Sequence, residues 1–324
     1  MKIDKNITNA LVTRVTFEGE RATGVEVAYD GKVRRIGAGL EVVLSLGAIH
    51  TPKVLMQSGI GDRSELRRFG IPVIQHLPGV GQNFQDHVAV ASCMWEYQRP
   101  IQVRNNAAEA TFFWKSDPTL DTPDLQPFQI EVPLTSAETA KLNPPSNSWI
   151  MFPGIVRPKS RGQLRLAGPR PLDPIEIHTN FLEHPDDLKA MVRCVELCRE
   201  IGNSAALRTF VKREVMPGDL KRTELENFIR NAAVTYWHQT CTAKMGRDSM
   251  SVVDGYLIVY GIEKLRFADG SIMPRVTTGN TMAPCVIIGE RAAEVLRTEH
   301  KLQTSSSPIT NANHEGSLTK GKKS

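Results

Sequence analysis

The chain has 324 residues, of which 40% are hydrophobic and 23% charged, so it can form one large or two smaller globular domains with an ample core. Its net charge of +5 comes from scattered basic residues without interleaved aromatics, which gives no indication of nucleic acid binding. No apolar run approaches the ~18 residues of a membrane helix and the first residues do not resemble a secretion signal, so we predict a cytoplasmic protein without a transmembrane segment.

The N-terminal part is predicted to be mainly β-structure. Three segments carry the β-branched or alternating pattern of antiparallel strands: residues 10–17, 22–29 and 33–36. Asp30-Gly31 is a hairpin signal between the last two. Residues 40–45 form a nearly continuous apolar run, which is typical of a strand buried in a parallel sheet. Thr51 is predicted to cap a short helix that has Pro52 at its first position.

The middle of the chain mixes strands and helices. Residues 163–166 and 175–178 alternate like antiparallel strands, and residues 132–148 have the composition of a loop. A helix is predicted from Pro185, because apolar side chains recur there at helical spacing: Leu188, Met191, Val192, Val195, Leu197 and Ile201. A second helix is predicted from Thr223, with Glu226 completing a capping box.

The cysteines indicate free thiols rather than disulfides or a metal site. They are Cys93, Cys194, Cys198, Cys241 and Cys285. Their odd number and the absence of CxxC or Cys/His ligand spacing favour a reducing compartment. Cys194 and Cys198 lie one helical turn apart and are expected to be half-buried helix thiols, so no metal ligand is predicted.

The C-terminal part carries a candidate catalytic pair. Residues 265–271 have the pattern of a buried strand that runs into a tight turn, and residues 286–296 that of a helix. His238 is flanked by aromatic residues, and Asn280 follows later in the chain. A histidine has a reference pKa near ~6.5 and can take a proton from a hydroxyl at neutral pH. An asparagine amide can donate a hydrogen bond to an oxygen that gains negative charge.

Several segments together resemble one known family. They are residues 47–61, 77–87, 109–113, 123–126 and 157–162, then His238-x-x-x-Thr242-x-x-Met245-Gly246, Gly279-Asn280-Thr281 and Gly289-Glu290-Arg291. They resemble the later part of the glucose–methanol–choline (GMC) flavin oxidoreductases, and most of all the choline dehydrogenase branch. Leu46 departs from the small residue usual in the second GMC signature. His50 is interpreted as structural, and His87 as forming a hydrogen bond where domains cross.

The resemblance implies an α/β (α+β) fold, in which the C-terminal part of a GMC FAD-binding fold is joined to an antiparallel-sheet substrate domain with flanking helices. The implied division is residues 1–89 for the remainder of the FAD-binding domain, 90–235 for the substrate domain, 236–300 for the return to the FAD-binding domain, and 301–324 for a disordered tail. The tail is also expected from its composition, which contains almost no apolar residue.

The resemblance also implies the site. His238 takes the position of the catalytic histidine, and Asn280 the position that holds a second histidine or an asparagine. The residues expected to line FAD are Val12, Trp237, Asp269, Gly270, Asn280, Thr281 and Met282. Val12 is expected to present backbone to the adenine end. Asp269-Gly270 should bring backbone to the phosphates and ribityl chain, where glycine allows close approach.

The implied function is FAD-dependent oxidation of the CH–OH group of a small-molecule alcohol. His238 would remove the hydroxyl proton, Asn280 would steady the forming alkoxide, and hydride would pass to flavin N5. The electron acceptor is expected to be oxygen or a quinone-type molecule.

The sequence contains no GxGxxG turn, which in this family holds the FAD pyrophosphate on a helix N-terminus. We therefore expect a fragment that lacks an N-terminal FAD-binding segment and binds FAD weakly or not at all by itself. Two alternatives follow. One is a non-catalytic fragment or partner subunit, and the other is an enzyme like the hydroxynitrile lyases, which cleave cyanohydrins without net redox.

Overall fold

The computed structural model describes residues 6–103, 106–108 and 110–302. Glu109 of the family motif and the predicted tail from residue 303 lie outside the described residues. The strands are β1 (Leu11–Glu18), β2 (Arg21–Tyr29), β3 (Lys32–Gly37), β4 (Val42–Leu44), β5 (Ile60–Gly61), β6 (Gln75–His76), β7 (Val88–Val90), β8 (Cys93–Tyr97), β9 (Ala110–Thr111), β10 (Phe128–Ile130), β11 (Ser148–Phe152), β12 (Gly154–Ile155), β13 (Gln163–Leu166), β14 (Ile175–His178), β15 (Val211–Met216), β16 (Ala233–Thr235) and β17 (Leu265–Phe267). The α-helices are α1 (Gly47–Gln57), α2 (Arg63–Arg68), α3 (Pro185–Gly202), α4 (Arg222–Ala232) and α5 (Met282–Glu299).

The N-terminal strands form the antiparallel sheet β1-β2-β3. The turn between β2 and β3 uses Asp30 and Gly31, with φ of 52° and 66°. Positive φ at both central residues is what a two-residue hairpin loop requires, and Asp-Gly adopts it readily. The predicted strands and hairpin are confirmed.

Strands β4 and β17 pair in parallel, as the apolar run at residues 40–45 predicted. The outer side of β17 is occupied by the preceding chain, because Val259 N–H donates to the Leu265 carbonyl and Phe267 N–H to the Leu257 carbonyl. On β4, Val43 is 38% exposed. The other apolar residues of the two strands are buried, so the apolar exposure here is limited to Val43.

The predicted start of helix α1 is wrong. The helix begins at Gly47, so Pro52 lies inside it and Thr51 is not its cap. A proline inside a helix has no N–H to donate to the carbonyl four residues earlier, which here belongs to Ala48. The Thr242 hydroxyl donates to that carbonyl instead, at 2.5 Å. A side chain distant in the sequence thus allows the helix to start one turn earlier than its local signals indicate.

The middle of the chain forms the antiparallel sheet β15-β8-β11-β10-β9. Helix α3 packs against one face of this sheet, where the rings of Trp95 and Trp149 stack with centroids 4.7 Å apart. Cys194 and Cys198 lie on the packed face and are fully buried, not half-buried as expected. Burial raises the pKa of the Cys198 thiol well above its usual range, so it stays protonated.

Helix α4 begins one residue before the predicted cap. Its first residue is Arg222, and Glu224 accepts a hydrogen bond from the Lys221 N–H at 2.9 Å. Glu226, assigned to the capping box, instead pairs with Arg222 at 2.6 Å. Glu224 lies in the first turn and Glu226 in the second, and the local pattern does not distinguish which one reaches back to the cap.

The sheet β12-β7-β16 packs in the apolar clusters of the five-stranded sheet, whereas Val80, shortly before it in the chain, belongs to the cluster around α1 and β4. Beside this sheet, Gln85 and Thr240 exchange backbone hydrogen bonds of 3.2 and 2.9 Å. The chain therefore crosses between the parts next to His87 and His238. The domain boundaries at residues 89, 235 and 300 stay a prediction.

Helix α5 is bound to the parallel strands at its C-terminal end. Arg266 on β17 is buried and donates to Glu41 at 2.6 Å, to the Tyr256 carbonyl at 2.6 Å, and to Glu299. His300 also pairs with Glu41. At its other end the helix exposes apolar residues, with Met282 73% exposed. None of the helices in the described part of the chain combines the length and apolarity needed to cross a membrane.

Candidate active site

The turn that carries His238 is held by a buried carboxylate. Asp86 accepts a hydrogen bond from the His238 N–H at 2.9 Å and another from the Thr235 hydroxyl. That hydroxyl in turn accepts from the Trp237 N–H at 2.8 Å. Burial raises the pKa of Asp86 to about 6, although the Thr235 and backbone hydrogen bonds act in the opposite direction. Asp86 is therefore ionised at neutral pH and fixes the backbone of the turn.

Trp237 and Tyr236 flank the histidine in different ways. Trp237 has φ of 61° and is 64% exposed, a backbone conformation that is uncommon for a bulky residue. Tyr236 is buried, and its ring stacks on the His238 ring with centroids 5.4 Å apart. The strained residue lets the chain turn sharply, so that successive side chains point to different surroundings.

The imidazole of His238 is partly buried and contacts a second histidine. Its Nδ1 lies 2.9 Å from Nδ1 of His87, and the two rings meet edge to face. Burial lowers the pKa of His238 below its ordinary value of 6.5. His238 is therefore neutral at pH 7, which is the state of a general base before it takes a proton.

Asn280 lies just before helix α5 and is oriented by Gln126. The Gln126 amide Nε2 donates to Asn280 Oδ1 at 3.1 Å. Gln126 is buried, and its own backbone carbonyl accepts from the Tyr236 hydroxyl at 2.7 Å. Since the Asn280 oxygen is engaged, its Nδ2 remains to donate to another oxygen.

His238 and Asn280 line one cleft of about 480 Å³. The other lining residues are Ala108, Ala110, Thr111, Gln126, Phe128, Tyr236 and Trp237. The structure therefore brings together the two predicted catalytic residues and Trp237. Strand β10 contributes Phe128 from the five-stranded sheet, while the histidine turn and Asn280 come from the C-terminal part of the chain.

Asp269 and Gly270 follow strand β17 and are not among the residues that line this cleft, and the Asp269 side chain is turned towards helix α1. Its carboxylate accepts from the Gly47 N–H at 3.0 Å, from the Thr51 hydroxyl at 2.6 Å and from the Ser271 N–H at 2.7 Å. An anion at the start of helix α1 is favoured by the helix dipole. The Asp269 side chain is therefore engaged within the protein, and the approach of its backbone to a cofactor stays a prediction.

Gly270 packs closely under the start of helix α5. A Cβ there would meet Cys285 Sγ at 3.3 Å and Thr240 Cγ2 at 3.4 Å. Thr281, the residue before α5, is buried, whereas Met282 is exposed. Gly270 and Thr281 thus adjoin the segments that carry His238 and Asn280.

Val12 stands apart from these residues. It lies on β1, half-buried, and packs against the apolar core that surrounds α1 and β4. It is not among the residues that line the cleft. Of the seven expected cofactor residues, Trp237 and Asn280 line the cleft, and the contact of the other five with a cofactor stays a prediction.

Sequence reasoning missed three residues of this site. Asp86 and Gln126 stood in segments that carried the family resemblance, and Tyr236 was noted as an aromatic neighbour of His238, but no role was assigned to them. The hydrogen bond expected of His87 is present, since its Nε2 donates to the Thr277 carbonyl at 2.8 Å. Its second contact, to His238, could not be inferred because the two residues are distant in the sequence.

Two family profiles, both described as GMC oxidoreductase, match residues 4–89 and 158–289. The chain belongs to the GMC oxidoreductase family. The resemblance seen in the sequence is thereby confirmed, and the α/β fold agrees with that of the solved relatives. Members of this family are enzymes, so the catalytic reading of the chain has support that is independent of its cleft.

Among curated proteins, this GMC oxidoreductase is similar to mitochondrial choline dehydrogenase of Mus musculus, with 36% identity over 92% of the chain and 54% of the relative. It is also similar to the alcohol dehydrogenase [acceptor] of Pseudomonas putida, with 34% identity over 90% of the chain and 57% of the relative. The chain therefore spans a little over half the length of these relatives.

Solved structures of similar proteins support the same fold. Pyridoxine 4-oxidase from Mesorbium loti has a TM-score of 0.83 and 28% identity, covering 91% of this GMC chain and 58% of that protein. An FAD-dependent oxidoreductase from Chaetomium thermophilum has a TM-score of 0.71 and 25% identity, covering 92% and 62%. These neighbours place the chain in a fold that accommodates FAD.

Proposed function

We propose that this protein contributes the substrate side of an FAD-dependent oxidoreductase that oxidises the CH–OH group of a small alcohol. The observation that carries the proposal is the cleft in which a neutral, partly buried His238 and an oriented Asn280 lie together. A proton acceptor and a hydrogen-bond donor that converge on one cavity suit the deprotonation of a hydroxyl group.

The residues present suit the ring end of FAD. Helix α5 begins without a side-chain cap or an acidic residue in its first turn, so its first N–H groups can face an electron-rich ring. Gly270 keeps the backbone below this point free of a side chain. The pyrophosphate is different, because Asp269 already occupies the start of α1 with negative charge. We propose that another segment, bearing a glycine-rich turn, binds the phosphates.

The mechanism assigns a separate task to each residue. When bound, the flavin supplies N5 as the acceptor for hydride from the carbinol carbon. His238 takes the hydroxyl proton, and Asn280 donates its Nδ2–H to the oxygen as negative charge develops. Tyr236 and Phe128 form an apolar wall, which excludes water and strengthens both interactions. Gln126 holds the Asn280 amide in the orientation that donates.

The aromatic lining suits an alcohol with an apolar or cationic body. Phe128, Tyr236 and Trp237 can pack on an alkyl or aromatic group, and their faces can also attract a quaternary ammonium. The named relatives act on choline, alcohols and pyridoxine. The acceptor is proposed to be oxygen or a quinone-type molecule, and a cytoplasmic location stays a prediction.

The test measures flavin reduction directly. The 324-residue chain would be purified alone and fused to a glycine-rich nucleotide-binding unit, and each protein would be mixed anaerobically with candidate alcohols. We expect a visible flavin band only with the added unit, and bleaching of the band by the correct alcohol. His238→Ala should slow bleaching by about two to four orders of magnitude, the usual contribution of a positioned base. His178→Ala, at an exposed position on β14, is the matched control.

Three outcomes would contradict the proposal. Stoichiometric flavin in the unfused chain would show that the phosphates are bound in some other way. Absence of flavin from every form would favour a non-catalytic partner subunit. Cyanohydrin cleavage without bleaching would favour the lyase alternative.

A further inference from the structure

His87 is buried and makes two ring contacts in opposite directions. Its Nε2 lies 2.8 Å from the Thr277 carbonyl, and its Nδ1 lies 2.9 Å from Nδ1 of His238. These two contacts engage both ring nitrogens of His87. They connect the segment before Asn280 with the turn that carries His238, through one rigid ring.

The first contact determines where the proton of His87 lies. A carbonyl oxygen only accepts hydrogen bonds, so Nε2 of His87 must carry the hydrogen. Burial lowers the pKa of His87 to about 4, and the ring therefore has a single proton at neutral pH. Its Nδ1 then has a lone pair and accepts a hydrogen bond from His238.

The same reasoning extends to His238. Two ring nitrogens 2.9 Å apart share one hydrogen, and His238 must supply it from Nδ1. A neutral His238 then has its lone pair on Nε2. Within the described part of the chain, no protein hydrogen bond is found for that nitrogen, and the ring lines the cleft.

We propose that His87 is a positioning residue that holds His238 in the tautomer with Nδ1 protonated, so that Nε2 is the atom that accepts the substrate proton. The proposal rests on the proposed function, because it assigns the acceptor atom of the same base. Asp86 has a different task, since it binds the backbone N–H of His238 and not the ring.

His87 positions the base but does not carry the proton further. Transfer from His238 to His87 would place a second proton on a ring that is deeply buried and already donates to Thr277. That charge would have no carboxylate against the ring, because Asp86 is engaged with the neighbouring backbone. The proton taken from substrate therefore stays on His238 until it is released to solvent through the cleft.

Two conservative variants separate the contacts of His87. His87→Gln places an amide N–H near the former Nε2, which keeps the Thr277 bond and loses the acceptor for His238. His87→Asn places its oxygen near the former Nδ1, which keeps the acceptor and loses the Thr277 bond. In flavin-loaded protein, we expect His87→Gln to lower the rate of flavin reduction about tenfold to a hundredfold, as for other residues that orient a functional histidine. His87→Asn should stay within about threefold of wild type, with KM unchanged in both variants.

The tautomer is measured without turnover. In the unsubstituted protein, nitrogen NMR of ¹⁵N-histidine-labelled chain should show His238 with a protonated Nδ1 and an unprotonated Nε2. His87→Asn should keep this signature, and His87→Gln should change it to a mixture. Urea unfolding of each variant identifies any that fails to fold, and the measurement on unsubstituted protein stands without them.

The outcomes separate the inference from the function. If His238→Ala abolishes flavin reduction but His87→Gln is faster than His87→Asn, the Thr277 bond is what matters and the inference is overturned. A His238 protonated on Nε2 in the unsubstituted protein overturns it as well. If His238→Ala reduces flavin at the wild-type rate, the proposed function fails first.

Discussion

Thr242 makes the hydrogen bond that Pro52 cannot make, and its loss should be measurable as a change in stability. Thr242 is fully buried, and its hydroxyl donates to the carbonyl of buried Ala48 at 2.5 Å. Thr242→Val keeps nearly the same shape but leaves that carbonyl without its partner. A buried polar group left unpaired costs about 1–3 kcal/mol. We expect Thr242→Val to lower the free energy of unfolding by that amount.

A double-mutant cycle tests the cause. Pro52→Ala returns an N–H to the helix, and this N–H can reach the Ala48 carbonyl from within α1. Thr242→Val should therefore cost much less in the Pro52→Ala background than alone. Urea unfolding, followed by far-ultraviolet circular dichroism, measures all four proteins, and an unchanged slope with urea shows that only stability has changed.

Thr242→Ser is the control, because it keeps the hydroxyl and removes only a methyl group. Its cost should be the same in both backgrounds. If Thr242→Val is neutral, or if its cost is independent of Pro52→Ala, then the hydroxyl does not compensate for the proline and the explanation of the early helix start is wrong.

Three further predictions concern the site and its surroundings. Gln126→Leu removes the N–H that holds Asn280, so flavin reduction should slow about tenfold, the equivalent of one hydrogen bond, and an unchanged stopped-flow rate would refute the orienting role. Arg266→Met leaves Glu41 buried without its cation and should destabilise the protein by about 3–5 kcal/mol in urea unfolding, most of which Glu41→Leu in the same chain should restore. His87 has a folded pKa of about 4 against 6.5 in the unfolded chain, so the unfolded state binds more protons between these values and stability falls as pH falls through them. His87→Gln should make the urea midpoint less dependent on pH between about 4 and 6.5, and an equal dependence would contradict that pKa.

Local sequence patterns correctly predicted the elements whose formation depends on neighbouring residues in the chain. The hairpin at Asp30-Gly31 follows from two residues that tolerate positive φ, and helix α3 from apolar spacing and a proline at its first position. Helix α1 was placed wrongly because its start depends on Thr242, which lies 194 positions from Ala48. The burial of the α3 thiols likewise depends on a sheet formed from other parts of the chain.

The same distinction holds for the site. His238 and Asn280 were identified by resemblance to a family, and the structure places both in one cleft. Their supports were not identified, because Gln126 is 154 positions from Asn280 and His87 is 151 from His238. A single sequence gives no measure of such spatial proximity, so the residues that orient the candidate catalytic pair were recognised only in the structure.

The hydrogen bonds between the Asp269 carboxylate and helix α1 have a consequence for the order of folding during synthesis. Its carboxylate binds the Gly47 N–H, 222 positions away, so the N-terminal unit stays incomplete until residue 269 has left the ribosome. The five-stranded sheet lies wholly within residues 93–216 and has its partners much earlier. Because folding the middle first shortens the effective loop between the outer parts, the entropic cost of joining them falls. A chain arrested before residue 269 should therefore have a five-stranded sheet that resists protease and a helix α1 that protease can cleave. The part that contains α1 and Asp269 should assemble last.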